Sequence, residues 1–264
     1  MSAQKGLEWT FDTVAATYEK LRPGYVDDLY RAIFDYIPIG EMSNVVEVGS
    51  GSGQATAPML KTGCFLTAVE CGPHFSECLK ERFREHERFS VITDKFENVD
   101  FPEGAFDLVY SASAFHWIPE EIGYKKIFSM LKNGGAFARF ANHPYRAKGA
   151  PELSKEIDDI YDEYYYTFYH KQREMPIEYS EEQAKERALT AEKYGFSDIQ
   201  YKMFYRERHF SAKEYVALLG TYSDHIAIDE KIRTDFFSKI AEAINNHGGV
   251  INIYDTIDLQ LARK

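Results

Sequence analysis

Cysteine is scarce in this chain: Cys64, Cys71 and Cys78 are three residues in 264. So few thiols fit a reducing compartment better than a disulfide framework, and no Cys/His spacing of the zinc type occurs. Long apolar runs are missing too, and residues 1–10 hold no basic region followed by an apolar segment. Neither a membrane span nor a secretory signal is therefore expected, and a cytoplasmic location is. Lysine and arginine form no cluster. With 31 of them against 42 aspartates and glutamates the net charge is -11, which would repel a nucleic-acid backbone. Internal repeats and low-complexity tracts are also lacking. What remains is ordinary for a globular chain, with 44% hydrophobic and 28% charged residues. The length allows one large domain, or one domain carrying a substantial insertion.

Strand and helix patterns alternate up to residue 142, the signature of a parallel sheet covered by helices. Phe11, Val14, Ala15, Tyr18 and Leu21 recur at helical spacing, as do Leu29, Ile33 and Ile37. Strands are expected at Asn44–Val48, Phe65–Glu70, about Ser90–Thr93, Phe106–Ser111 and Ala136–Ala141. Pro73 opens a helix whose buried face is expected to hold Phe75, Cys78, Leu79 and Phe83. Beyond Asn142 the rhythm changes. Leu153, Ile157, Ile160, Tyr161, Tyr164, Tyr165 and Phe168 share one helical face, and a charged helix follows from about Ser180 to Tyr194. The expected division is a cofactor-binding core over 1–142, a helical lid over 143–196 and the rest of the core over 197–264. In that last part, 199–205 and 257–261 alternate as two late strands suited to antiparallel addition at one sheet edge.

The strongest local signal is Val45-Val46-Glu47-Val48-Gly49-Ser50-Gly51-Ser52-Gly53. A strand ends, the backbone turns, and a helix begins whose free N–H groups can face a ligand. Glycines are needed where any side chain would hold that ligand away. Gln54 stands where the dinucleotide fingerprint has its third glycine, and Glu47 near the mouth would repel a pyrophosphate but attract an ammonium group. A cationic ligand is indicated rather than NAD. Glu70 ends the second strand, where a carboxylate can accept from both hydroxyls of a ribose. Asp94, Phe96 and Glu97, after the third strand, can supply an acceptor for an exocyclic amine and an aromatic face for a purine, with the choice between the two acids open.

The glycine loop, Glu70, Phe106-Asp107-Leu108-Val109 and Leu131-Lys132-Asn133-Gly134-Gly135 together resemble, in order and spacing over about residues 40–142, the class I S-adenosylmethionine-dependent methyltransferases. The opening Phe11-Asp12, Tyr18 and Arg22-Pro23-Gly24-Tyr25, with Phe115-His116-Trp117-Ile118, is similar to their small-molecule branch that includes trans-aconitate methyltransferase-like proteins. The resemblance implies an α/β, Rossmann-like seven-stranded sheet with its last strand antiparallel. S-adenosylmethionine is the implied cofactor: its methionine part meets Gly49, Ser50, Gly51 and Gly53, its ribose Glu70, and its adenine the segment Asp94–Glu97. Asn133 departs from the family by replacing a usual proline, a change expected to alter stiffness rather than binding.

Methyl transfer from a sulfonium is an in-line displacement, so alignment and exclusion of water are the main tasks. Ser111 to Trp117 follow the fourth strand at the carboxyl end of the sheet, where ligands bind in such folds. The Asn/Asp-Pro-Pro-Tyr/Phe run of amino-directed nucleic-acid methyltransferases is absent there, which together with the charge leaves a small molecule as the expected partner. His116 is the candidate base, or else packs beside Trp117 against the pocket wall. Tyr18 and Tyr25 can close over the cofactor or serve as core aromatics, and Trp117 and Tyr222 are further candidates for touching substrate. Cys71 either lines the adenosine pocket or is an inert small residue. The tyrosines from Tyr161 to Tyr169 suit a substrate lid, or equally aromatic packing of that lid on the main domain. A cofactor-binding regulator without catalysis, and a protein methyltransferase, remain the alternatives.

Overall fold

The computed structural model describes residues 24–173 and 177–264. The first expected helix and Tyr18 lie outside them. Seven strands form one sheet in the order β3-β2-β1-β4-β5-β7-β6: β1 Asn44–Val48, β2 Phe65–Glu70, β3 Phe89–Thr93, β4 Phe106–Ala112, β5 Leu131–Tyr145, β6 Ser197–Ser211 and β7 Val250–Arg263. The pairs among β1 to β5 are parallel, and β7 runs antiparallel to both β5 and β6. The sheet reverses its order between β1 and β4, the point at whose carboxyl ends ligands bind in doubly wound sheets.

Helices cover both faces. On one, α1 (Asp27–Tyr36) and α2 (Thr56–Leu60) bury Leu29, Ile33 and Met59 against Tyr110, Phe140 and Leu259. On the other, α4 (Glu120–Met130) buries Tyr124 and Ile127 against Val109 and Phe137. Between them in sequence, α3 (Pro73–Arg82) buries Phe75 and Leu79 but leaves Cys78 exposed, correcting its expected place on the buried face. Phe75, Leu79 and Phe83 repeat every four residues, and Cys78 falls to the side of that stripe.

The late strands are much longer than their apolar alternation indicated. β7 is buried over most of its length, and Asp255, Thr256, Asp258 and Gln260 interrupt its Ile/Leu pattern. Antiparallel pairing carries β7 back to Tyr254 opposite Tyr145 and Val250 opposite Ser211. The ends of β6 and β7 thus project past the carboxyl edge, and a helical cap is built on them. Here α5 (Pro151–Tyr161), a π turn at Asp162–Tyr166, α7 (Ala212–Leu219) and α8 (Glu230–Asn246) enclose Ile251 and Ile253. By contrast α6 (Glu181–Leu189), with the turn Thr190–Tyr194, lies on the sheet face through Ala191 and Phe196. The cap therefore joins the first half of the expected lid with helices from the last segment, while the second half of that lid serves the core.

Candidate active site at the carboxyl edge of the sheet

Glycine is required at the turn after β1 for two different reasons. Gly49 has φ +74° and a Cβ there would stand 2.4 Å from the Cβ of Ala114, so the turns after β1 and β4 touch. At Gly51, with φ +53°, a Cβ would meet nothing within 4 Å. The polypeptide stays in turns through Ala55, and α2 begins only at Thr56, later than the expected direct entry into a helix. Around this turn the buried Glu47 Oε1, Ser50 Oγ, Ser52 Oγ and Gln54 Nε2 have no hydrogen-bond partner among the described residues. Such a group of orphaned polar atoms is costly unless a ligand or water meets it. An uncollapsed glycine turn ringed by them fits a polar ligand.

Glu70 stands beside the turn. One carboxylate oxygen accepts the Gly51 N–H at 2.7 Å and the other the Gly72 N–H at 2.8 Å. Ribose hydroxyls arriving here would share or replace these bonds. Glu47 is not at the mouth as expected. Its residue is completely buried, and Oε2 accepts the Thr56 hydroxyl, so it lies under the turn. Burial raises its carboxyl to about 7, against the opposing hydrogen bond of Thr56.

The segment after β3 departs from expectation at one residue. Phe96 is 4% exposed, packs near Phe101 and carries the Lys126 ammonium 5.0 Å from its ring centre, so it offers no open face to a purine. Lys126 also donates to the carbonyls of Phe96 and Glu97, pinning this turn to α4. Asp94 is exposed and accepts from Lys95 N and Asn98 Nδ2; the Glu97 residue is half-buried. Ser111 is fully buried and its hydroxyl donates to Val48 O at 2.8 Å. It ties β4 to β1 and faces no cleft. Cys71 is half-buried directly after Glu70.

Beyond β4, Ser113 takes a left-handed φ of 53° and its Oγ meets the Tyr25 hydroxyl at 2.8 Å and the Asn142 N–H at 3.2 Å. With its ring edge on Phe140, Tyr25 spans the ends of β4 and β5. His116 and Trp117 follow in a 3-10 turn, their rings 5.1 Å apart. His116 keeps exposed ring surface, yet crowding by the surrounding protein, with the charges of Arg187 and Arg139, pushes its imidazole below the usual value. It is thus neutral at pH 7. Tyr222 belongs to the cap, 5.4 Å from the His225 ring, with Tyr161 bonded to His225 Nε2 and Tyr165 to Asp224. The tyrosine face therefore packs within the cap rather than on the main domain.

Close to the His116 turn lies a small recess, lined mostly by apolar groups and bordered by Arg139 and Gln260, that the residue pattern does not outline. Arg139 of β5 and Gln260 and Asp258 of β7 share this sheet face, with Arg187 and Tyr179 reaching it from the α6 region. One signal was available: Arg139 is the lone charge in Ala136-Phe137-Ala138-Arg139-Phe140-Ala141, in the middle of a buried strand. Among the described residues no group of three or more His, Cys, Asp or Glu could hold a metal, and no helix is long and apolar enough to cross a membrane.

Residues 46–138 match a family model described as a methyltransferase domain. Over the wider chain, an uncharacterised methyltransferase of Schizosaccharomyces pombe is 24% identical, with 84% of this chain and 82% of that one covered. A malonyl-[acyl-carrier protein] O-methyltransferase of Ilyobacter polytropus is 30% identical, covering 39% of this chain and 40% of its own. Among solved structures, a putative type II methyltransferase from Anaeromyxobacter dehalogenans has a TM-score of 0.63 at 17% identity, covering 92% and 97% of the two chains. Phosphoethanolamine N-methyltransferase 2 of Haemonchus contortus, in complex with phosphomonomethylethanolamine and S-adenosylhomocysteine, has 0.55 at 16%, covering 96% of this chain and 57% of that one. The fold is that of the class I methyltransferases. With the matched domain lying over β1 to β5, the chain is an S-adenosylmethionine-dependent methyltransferase.

Proposed function

We infer that this enzyme transfers the methyl group to a small-molecule acceptor bound between the cofactor and the helical cap. The observation that carries the reading is the glycine turn: open at Gly51, ringed by unpartnered buried polar atoms, and set beside Glu70 at the point where strand order reverses. S-adenosylmethionine, when bound, supplies a methyl group on a sulfonium. Gly49, Ser50, Gly51 and Gly53 would hold its methionine portion by backbone contacts, and Glu70 its ribose. The Asp94–Glu97 turn would border the adenine with polar groups, Phe96 acting from below as support. Glu47, buried under the turn, shapes it and biases it electrostatically, and Ser111 fixes β4 against β1.

Because the displacement needs little acid–base help, the protein's work is alignment and dehydration. Tyr25 and Trp117 border the ends of β4 and β5, and the cap projects past them. A neutral His116 there can accept a proton from an acceptor oxygen or nitrogen. Calorimetry with S-adenosylhomocysteine tests the cofactor half: saturable binding in preference to NAD is expected, and a folded protein that binds neither would refute it. Product analysis with labelled S-adenosylmethionine tests the acceptor half.

A further inference from the structure

We propose that Arg139 and Arg187 form a subsite for an anionic group, a carboxylate or a phosphate, on the methyl acceptor. The proposal rests on the small-molecule reading above and names the chemistry that its acceptor side selects.

Arg139 rises from the middle of β5, opposite Gln260 of β7, on the sheet face that Phe115 and Tyr124 also line. Its guanidinium lies 4.9 Å from the centre of the Phe115 ring and donates one bond, to the Tyr124 hydroxyl at 3.2 Å. Among the described residues the buried Nε–H has no partner, and neither does the buried Gln260 Oε1 on the neighbouring strand. No carboxylate lies within salt-bridge distance of Arg139 among the described residues. Arg187, on the last turn of α6, approaches a single acid among the described residues, Asp258, and only at 3.6 Å. Asp258 cannot neutralise both. It already accepts from Ala141 N, His143 Nε2, Tyr179 Oη and Gln260 Nε2.

Burial first, and then the charge of Arg187, disfavour the charged form of Arg139. An Arg139 with an unpartnered Nε–H, and an Arg187 whose acid stands 3.6 Å away and is already shared, are unfavourable in the free protein, and an anion entering beside them would relieve that cost. Arginine suits the task because its planar fork meets carboxylate and phosphate oxygens in paired hydrogen bonds. The location matches as well. Ala114, which touches Gly49, is two residues from His116, so one short segment links the cofactor turn to this recess. A small acid gripped by its anionic end here would extend toward the site of methyl transfer.

The test uses the full chain loaded with S-adenosylhomocysteine, followed by NMR of the arginine Nε–H groups during titration with acetate and, separately, with monomethyl phosphate. Saturable shifts at Arg139 and Arg187 are expected, and the stronger response distinguishes a carboxylate from a phosphate subsite. Arg187→Gln should weaken the response about 10- to 100-fold, the range for a hydrogen bond to a charged group, and Arg187→Lys should restore part of it. Asp258→Asn removes the competing negative charge, so the anion should bind more tightly. Weaker binding in Asp258→Asn, in step with Arg187→Gln, would reduce Arg187 to a counter-ion of Asp258 and overturn the proposal. So would the absence of any saturable shift at millimolar anion in protein that binds S-adenosylhomocysteine normally. Failure to bind S-adenosylhomocysteine at all would instead strike the methyltransferase site itself.

Discussion

Replacing Gly49 and Gly51 separately by alanine should give opposite results. At Gly49 the left-handed backbone costs an alanine about 1–2 kcal/mol. Its Cβ would also lie 2.4 Å from Ala114 Cβ, well inside van der Waals contact, so the turns after β1 and β4 must part. Overpacking of that kind adds about 1–3 kcal/mol. Gly49→Ala should therefore lose about 2–5 kcal/mol of stability, readable by urea unfolding of the ligand-free protein. Removing the opposing methyl in Gly49→Ala/Ala114→Gly should return the overlap portion and leave the conformational one. Gly51 also has positive φ, but open space stands where its Cβ would go. Gly51→Ala should thus cost only about 1–2 kcal/mol in stability while filling the cradle and abolishing cofactor binding in calorimetry. Full affinity for S-adenosylhomocysteine in a folded Gly51→Ala protein would refute the assignment of that space to the cofactor.

Three further outcomes follow from the same geometry. Glu70→Ala should weaken cofactor binding by about 1.5–3 kcal/mol, the scale of hydrogen bonds to a charged group, and calorimetry that finds no loss would move the ribose to another residue. Glu47 has its folded carboxyl raised from 4.5 to about 7, so the native state holds its proton more tightly than the unfolded chain does. The associated stability is complete below about pH 4.5 and is lost as pH rises through 7, roughly 3 kcal/mol in all; Glu47→Gln should flatten that part of the stability–pH curve, and an unchanged curve would contradict the burial argument. His116→Ala and Tyr222→Phe should lower turnover far more than cofactor affinity. With His116 depressed, the acid limb of the rate profile should lie below pH 6.5, the ordinary imidazole value, and a limb above it would exclude His116 as the base.

The parts of this molecule that local pattern encodes were legible before any coordinates. A run such as Val45-Val46-Glu47-Val48 followed by glycines carries its strand and its turn together, and the end of β2 at Glu70 follows from the short apolar run before it. Phe96 failed because an aromatic near a ligand-binding edge reads alike whether it faces the cleft or the core. Ser111 failed similarly, its hydroxyl being consumed by Val48 O. The cap was misdivided because nothing local tells which helices will share a core. That depended on how far β6 and β7 project, and buried Asp255 and Asp258 hid the length of β7. Arg139 was visible as an anomaly, but Arg187, 48 positions later, meets the same recess only through the packing of α6 on the sheet.

Transfer of label from methyl-labelled S-adenosylmethionine tests the central claim most directly. A cell extract is incubated with the wild-type enzyme or with Gly51→Ala and then separated into filterable small molecules, protein and nucleic acid. The account predicts enzyme-dependent label among the small molecules and its loss in Gly51→Ala. Enzyme-dependent label confined to protein or nucleic acid, or no label above the Gly51→Ala level, would contradict it.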